Sequence, residues 1–183
     1  MRIFIRFNAL MFTMMVLSMS NIAKAEQLNI GDTAPEFKLV DQYGKTHSIK
    51  DYAGQWLVLY FYPKDDTPGC TKEACEFRDE YKLLQKQNTQ VLGVSIDSKE
   101  SHAKFAEKYH LRFPLLADEG GEVAKRYQSL FTFWPIKFAK RHSFIIGPQG
   151  IVRKIYRKVD PDTHSQKIIA DIQALSLQEP TTK

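Results

Sequence analysis

Leu57-Val58-Leu59-Tyr60-Phe61-Tyr62, stopped by Pro63 and followed by Lys64-Asp65-Asp66-Thr67-Pro68-Gly69-Cys70, decides the architecture. Six consecutive apolar residues of this length and aromatic content read as a strand buried on both faces, as in a parallel sheet. After the polar turn the period changes. Cys70, Ala74, Phe77, Tyr81 and Leu84 step by four, three, four and three, which predicts a helix over 70–87 with one apolar stripe. Cys70 therefore stands in the first helical turn, directly after a buried strand. Pro68 suits a first-turn position whose N–H would be unpaired in any case.

Working outward, Val91–Ile96 reads as a second buried strand, and Asp97-Ser98-Lys99-Glu100 as a capped helix start with Phe105 and Tyr109 on the apolar side. A short helix is predicted near Glu122–Tyr127 and an amphipathic one over Ser165–Leu175. Phe37–Val40 and Thr46–Ile49 flank a turn-rich pentapeptide and form a small hairpin. Phe144–Ile146 and Ile151–Tyr156 flank Gly147-Pro148-Gln149-Gly150 and form a second. The fold class is α/β: one mixed central sheet with helices on both faces and an N-terminal hairpin extension.

The 183 residues are 43% hydrophobic and 26% charged, enough for a real core and against disorder. The net charge of +5 suggests nucleic acid until its position is considered. Residues 1–25 hold three basic residues and no acid, so the remainder is close to neutral, with 23 basic and 21 acidic residues. That is a poor argument for a nucleic-acid partner. The same twenty-five residues have the pattern of a cleaved signal peptide: a short positive start, an uncharged apolar run from Phe7 to Ala23, and the small-x-small site Ala23-Lys24-Ala25. No cysteine follows Ala25 to take a lipid. The expectation is export to a periplasm, cleavage after Ala25, a single domain over 26–183 and no stable membrane association afterwards.

The chemistry must involve the two cysteines. Backbone N–H groups at the helix start favour a thiolate at Cys70. Bringing a thiol from about 8.5 to about 6 takes roughly 3.4 kcal/mol. A helix terminus supplies about 2 at best, so a cation from elsewhere in the chain is required. Cys75 lies on another face. Five helical steps turn about 140° net and rise about 7.5 Å, leaving the Cα atoms about 8–9 Å apart. A disulfide needs less than about 7 Å. Either the cysteines are unrelated or the helix opens during the reaction. Metal binding is disfavoured, because a spacing of five diverges and the five histidines form no spaced cluster. There is no Cys-x-x-Cys.

Pro63-x-x-x-Thr67-x-x-Cys70 resembles the active-site signature of the peroxiredoxins, and Tyr60 through Cys75 resembles their bacterioferritin-comigratory (Q-type) subfamily. Gly93–His102, Phe113–Asp118 and Arg141 through Phe144-Ile145-Ile146 extend the similarity, which covers nearly all of Gly31–Leu175. The resemblance implies a thioredoxin-like fold and a thiol-dependent peroxidase acting on hydrogen peroxide and organic hydroperoxides. It implies that Cys70 is peroxidatic, that Thr67 hydrogen-bonds near the peroxide, that Pro63 shields the sulfur, and that Arg141 is the required cation. Cys75, at the subfamily's common offset of five, would resolve the Cys70 sulfenic acid as an intramolecular disulfide, reduced in turn by a thioredoxin-like dithiol protein. No cofactor or metal is implied, and a monomer is.

Gly147 stands where family members commonly carry Asp, and His142 where Ser or Thr is usual. The compact aromatic segment 128–140 reads as a loop packed back onto the core, the other reading being an apolar patch that receives organic peroxides or the reductant. Two rival functions are an exported disulfide reductase of thioredoxin type and a copper-delivery protein using His142.

Overall fold

The computed structural model describes residues 27–178; the segment read as a signal peptide lies outside them. Strands β1 (Lys38–Asp41) and β2 (Thr46–Ser48) form the N-terminal hairpin. Next come β3 (Trp56–Phe61), α1 (Pro68–Lys86), β4 (Thr89–Ser95), α2 (Lys99–Tyr109), β5 (Leu115–Ala117) and α3 (Glu122–Arg126). The chain continues through β6 (Leu130–Phe133), β7 (Ile136–Ala139), β8 (His142–Ile146), β9 (Val152–Tyr156) and α4 (His164–Gln178). A seven-stranded mixed sheet has the order β2-β1-β5-β4-β3-β8-β9. β3 pairs parallel with β4 and antiparallel with β8, which puts it inside the sheet.

That position explains the sequence of β3. All six residues are buried, and because side chains alternate, the two faces share them. Val58 and Tyr60 join the core beneath α1 and α4, with Phe77, Leu84, Ile168 and Ile172. Leu57, Leu59 and Phe61 join the opposite core with Tyr127, Phe144 and the N-terminal Phe37. Gly93 on β4 follows from the same packing. A Cβ there would lie 2.7 Å from the Leu115 side chain and 2.8 Å from the Tyr60 hydroxyl. The predicted stripe Cys70, Ala74, Phe77, Tyr81 and Leu84 is buried in full.

Segment 128–140 departs from the expectation of a loop packed on the core. It forms a separate two-stranded ribbon, β6–β7, with Trp134 and Pro135 at its turn and Phe133, Trp134 and Ile136 exposed. Cross-strand pairing of β-formers (Phe131 with Phe138, Phe133 with Ile136) accounts for it, since these pairs satisfy the backbone locally without the main sheet.

Candidate active site

Pro63 ends β3, and the turn that follows is pinned largely by side chains of α2. The Asp65 carboxylate accepts from the Tyr62 hydroxyl (2.7 Å) and the Ser101 hydroxyl (2.7 Å), and lies 2.8 Å from His102 Nδ1. The Asp65 N–H donates to Asp97 (2.9 Å). Asp66, with a positive φ of 56°, accepts from Lys108 and from the Tyr109 hydroxyl. This turn therefore has no slack. Thr67 is the N-cap of α1 and Pro68 the first helical residue, as the sequence indicates.

Cys70 is almost completely buried on the third helical position, and Arg141, between β7 and β8, reaches it from the neighbouring strand connection. Arg141 Nη2 donates to Cys70 Sγ at 3.2 Å, while Nη1 donates to the Glu73 carboxylate. The cation required by the energy argument is in contact with the sulfur. Gly69 makes room for it: a Cβ there would stand 3.2 Å from Arg141 Nη2. Gly69 is in helical conformation within α1, so its role is clearance for the guanidinium.

Glu73, one turn after Cys70 on the same stripe, is fully buried. Burial raises its carboxyl to about 7, although the Arg141 guanidinium and its hydrogen bond pull the other way. Arg141 itself is held above its ordinary value: burial opposes its charge, but Glu73 and Cys70 outweigh that. Glu73 Oε1 has no hydrogen-bond partner among the described residues and faces His164 Nε2 at 4.0 Å. His164 Nε2 is 2.8 Å from the Ser143 hydroxyl. The buried Tyr60 hydroxyl, also without a hydrogen-bond partner among the described residues, is close enough to Glu73 and Cys70 that both raise it further, after burial itself. Sequence reading did not single out Glu73 or His164. Glu73 was findable as a charged residue at helical spacing on the Cys70 stripe, a spacing that Glu80 shares seven residues later. His164 has no local signal, because tertiary packing of α4 brings it in.

Thr67 does not reach the sulfur as directly. Its hydroxyl donates to the Lys64 carbonyl at 3.0 Å. Pro63 lines a cleft of about 420 Å³ with Lys64, Ile96, Asp97, Lys137 and Phe138. Cys75 is a free thiol, half-buried on the same intact helix, near Lys72 and Arg78. His142 Nδ1 lies 3.0 Å from the Arg157 guanidinium and 3.1 Å from Ser129. Burial first, then Arg157 and Lys140, push His142 down to about 4. A guanidinium against that nitrogen argues against His142 as a copper ligand.

Comparison with known proteins gives the family. Residues 30–155 match the AhpC/TSA family. Chloroplastic peroxiredoxin Q of Sedum lineare is 41% identical over 149 residues, covering 79% of this chain and 78% of the relative. The chain belongs to the peroxiredoxin family. Among solved structures, this peroxiredoxin resembles peroxidoxin BcpB of Mycobacterium tuberculosis with a TM-score of 0.77 at 34% identity, covering 81% and 99% of the two chains. It also resembles the Xanthomonas campestris bacterioferritin comigratory protein with a TM-score of 0.75 at 30% identity, covering 81% and 98%. The latter is described for alkyl peroxide reduction, in trapped intermediate and ligand complexes. The fold is thioredoxin-like and the enzyme a thiol peroxidase.

Proposed function

We propose that Cys70 is the peroxidatic residue and Cys75 the resolving one. The observation that carries this is the 3.2 Å contact between Arg141 and the buried Cys70 sulfur. The thiolate, not the thiol, is the nucleophile, and a fixed guanidinium beside the sulfur favours the anion. The Cys70 thiolate attacks the terminal peroxide oxygen, the O–O bond breaks, and the leaving oxygen takes a proton to become water or an alcohol. Cys70 is left as a sulfenic acid. The Arg141 guanidinium, beside the reacting sulfur, stabilises charge on the departing oxygen. The Cys75 thiol then displaces hydroxide from the sulfenic sulfur, water forms, and a disulfide joins the two cysteines. A dithiol protein restores both thiols by exchange.

The intact helix holds the cysteines about 8–9 Å apart, beyond disulfide reach. Resolution therefore requires the first turns of α1 to open. With Asp65 and Asp66 tied down, the opening is carried by α1 itself. Alkyl hydroperoxides are included as substrates, with the Xanthomonas relative as support. Export is proposed from the pattern of residues 1–25, with the mature protein a monomer of 26–183. Hydroperoxide-consumption kinetics test the central reading: wild type consumes peroxide with a dithiol reductant, and Cys70→Ser falls to background. Retained consumption in Cys70→Ser refutes it. Reduction of insulin disulfides without peroxide consumption would favour the thioredoxin-type rival.

A further inference from the structure

The β6–β7 ribbon has a face that the peroxidase cycle does not use. Phe131 pairs with Phe138, their rings stacked 4.8 Å apart, and Phe133 pairs with Ile136. Because side chains alternate along a strand, these four share one face, while Thr132 and Lys137 occupy the other. Toward the turn the apolar groups are bare: Ile136 is 52% exposed, Phe133 70% and Trp134 91%.

The ribbon has cations on both flanks. Lys125 and Lys140 line a cleft on one side with Leu130 and Thr132, and Lys64 and Lys137 line the Pro63 cleft on the other. Lys137 also reaches the Gly120 carbonyl, beside Glu119 and Glu122, so that corner is charge-balanced. The stretch as a whole is not. Residues 123–159 contain nine lysines and arginines and no aspartate or glutamate. The ribbon is continuous with the active site, since β7 leads through Lys140 into Arg141, and Phe138 shares its cleft with Pro63. At about 3.4 Å per residue, Ile136 at the base of the turn stands about 17 Å from Arg141.

We propose that the ribbon tip docks on an anionic phospholipid bilayer and that lipid hydroperoxides at that surface are the substrate class it serves. Phe133, Trp134 and Ile136 enter the boundary between headgroups and acyl chains, and Lys64, Lys125 and Lys140 meet anionic headgroups. Aromatic residues with flanking lysines have the composition of membrane-interface anchors, and each basic residue near an anionic leaflet adds attraction. A second copy of the chain is the poorer occupant, because packing two ribbons face to face brings like charges together. Three side chains without a lipid or a second anchor give reversible binding, so the protein visits the membrane without being held there. The proposal rests on the peroxidase reading. The step balances in the same way: the lipid hydroperoxide gives its terminal oxygen to the Cys70 thiolate and leaves, with one proton, as the lipid alcohol.

The test uses the protein spanning 26–183 and vesicles of phosphatidylglycerol or of phosphatidylcholine. Wild type should sediment with phosphatidylglycerol vesicles, more weakly at high salt and more weakly still with phosphatidylcholine. Its fluorescence should shift to the blue, a signal belonging to Trp134 because Trp56 is already buried. Phe133→Ser with Trp134→Ser should bind at least about tenfold more weakly and lose the shift. That variant should keep its rate on hydrogen peroxide while losing at least about tenfold on phospholipid hydroperoxide in phosphatidylglycerol vesicles. Absence of wild-type binding, or equal binding by the variant, overturns the proposal. So does a variant defect confined to the reaction with the dithiol reductant, or to a concentration-dependent dimer. If hydrogen peroxide consumption itself is missing, the peroxidase reading fails, and vesicle binding still decides the membrane contact.

Discussion

Arg141 joins two regions that invert the ordinary placement of polar and apolar groups. Behind it, Cys70, Glu73, His164 and the Tyr60 hydroxyl are buried, and Glu73 Oε1 and the Tyr60 hydroxyl have no hydrogen-bond partner among the described residues. Ahead of it, one connection away, Phe133, Trp134 and Ile136 stand in solvent on a ribbon that contributes little to either core. Burying a charge without water is costly unless it is paired, and a large bare apolar tip is unusual for a monomer. The difference teaches what each region is for. The buried cluster sets Arg141 between the Cys70 sulfur and the Glu73 carboxylate, so its parts are interdependent. The ribbon tip packs on neither core, so its residues should be changeable without disturbing the fold.

The sharpest way to break this contrast is Arg141→Met. Peroxide consumption should fall at least about tenfold. The same change leaves Glu73 buried with only His164 opposite, so stability should fall by up to about 3 kcal/mol at pH 8 and by less at pH 6, where Glu73 takes a proton. Adding Glu73→Gln should restore the urea midpoint but not the rate. An unchanged rate in Arg141→Met removes Arg141 from the site.

Two buried histidines make the second test. His142 and His164 are each lowered to about 4, burial being the main cause, with Arg157 and Lys140 acting on the first and Lys167 and Arg141 on the second. Their unfolded forms take a proton near 6.5, so folding is penalised as pH falls from about 6.5 toward 4, by up to about 3 kcal/mol each. Glu73 has the opposite sign, since its raised carboxyl costs stability as pH rises from about 4.5 to about 7. Asp118 is raised as well, whereas Asp41 and Asp171 are lowered and lose stability together with the histidines as pH falls, so the wild-type urea midpoint should decline from pH 6.5 to 4. A flat profile contradicts the neutral, buried state of both rings.

Glu73→Gln alone should have a smaller effect, removing the loss of stability that the raised carboxyl causes as pH rises from about 4.5 to about 7. The smallest expected effect is on the ribbon. Trp134→Ser should change stability by no more than about 0.5 kcal/mol, because its side chain is exposed. A loss of several kcal/mol would mean that the ribbon is part of the folding core.

Much of this was legible from local pattern. The buried strand at Leu57–Tyr62, the helical stripe from Cys70 to Leu84 and the two hairpins with their turn residues each carry their own periodicity, and they match β3, α1, β1–β2 and β8–β9 within a residue or two at each end. The need for a cation at Cys70 followed from magnitudes alone. The short strand β5 did not stand out, because three residues are too few to show a period. The ties of the turn before α1 carry no local signal: Asp65 and Asp66 are held by residues 36 to 43 positions away, and Gly69 is a clearance for Arg141, which comes from 72 positions away. His164 was invisible for the same reason: its neighbours at the site come from distant elements. The ribbon was misread because its apolar residues suggest burial, whereas cross-strand pairing satisfies its backbone locally.

The central claim is that Cys70 and Cys75, held apart by an intact α1, form one disulfide after peroxide attack. Peptide mapping of the protein treated with about one equivalent of peroxide tests it directly, read alongside amide exchange. The expected result is a single bridge between Cys70 and Cys75, faster exchange over Thr71–Phe77 than in the reduced protein, and continued protection of β3 and β4. A stable sulfenic acid on Cys70, or a bridge between two chains without a 70–75 bond, would contradict it and leave Cys75 without a role in resolution.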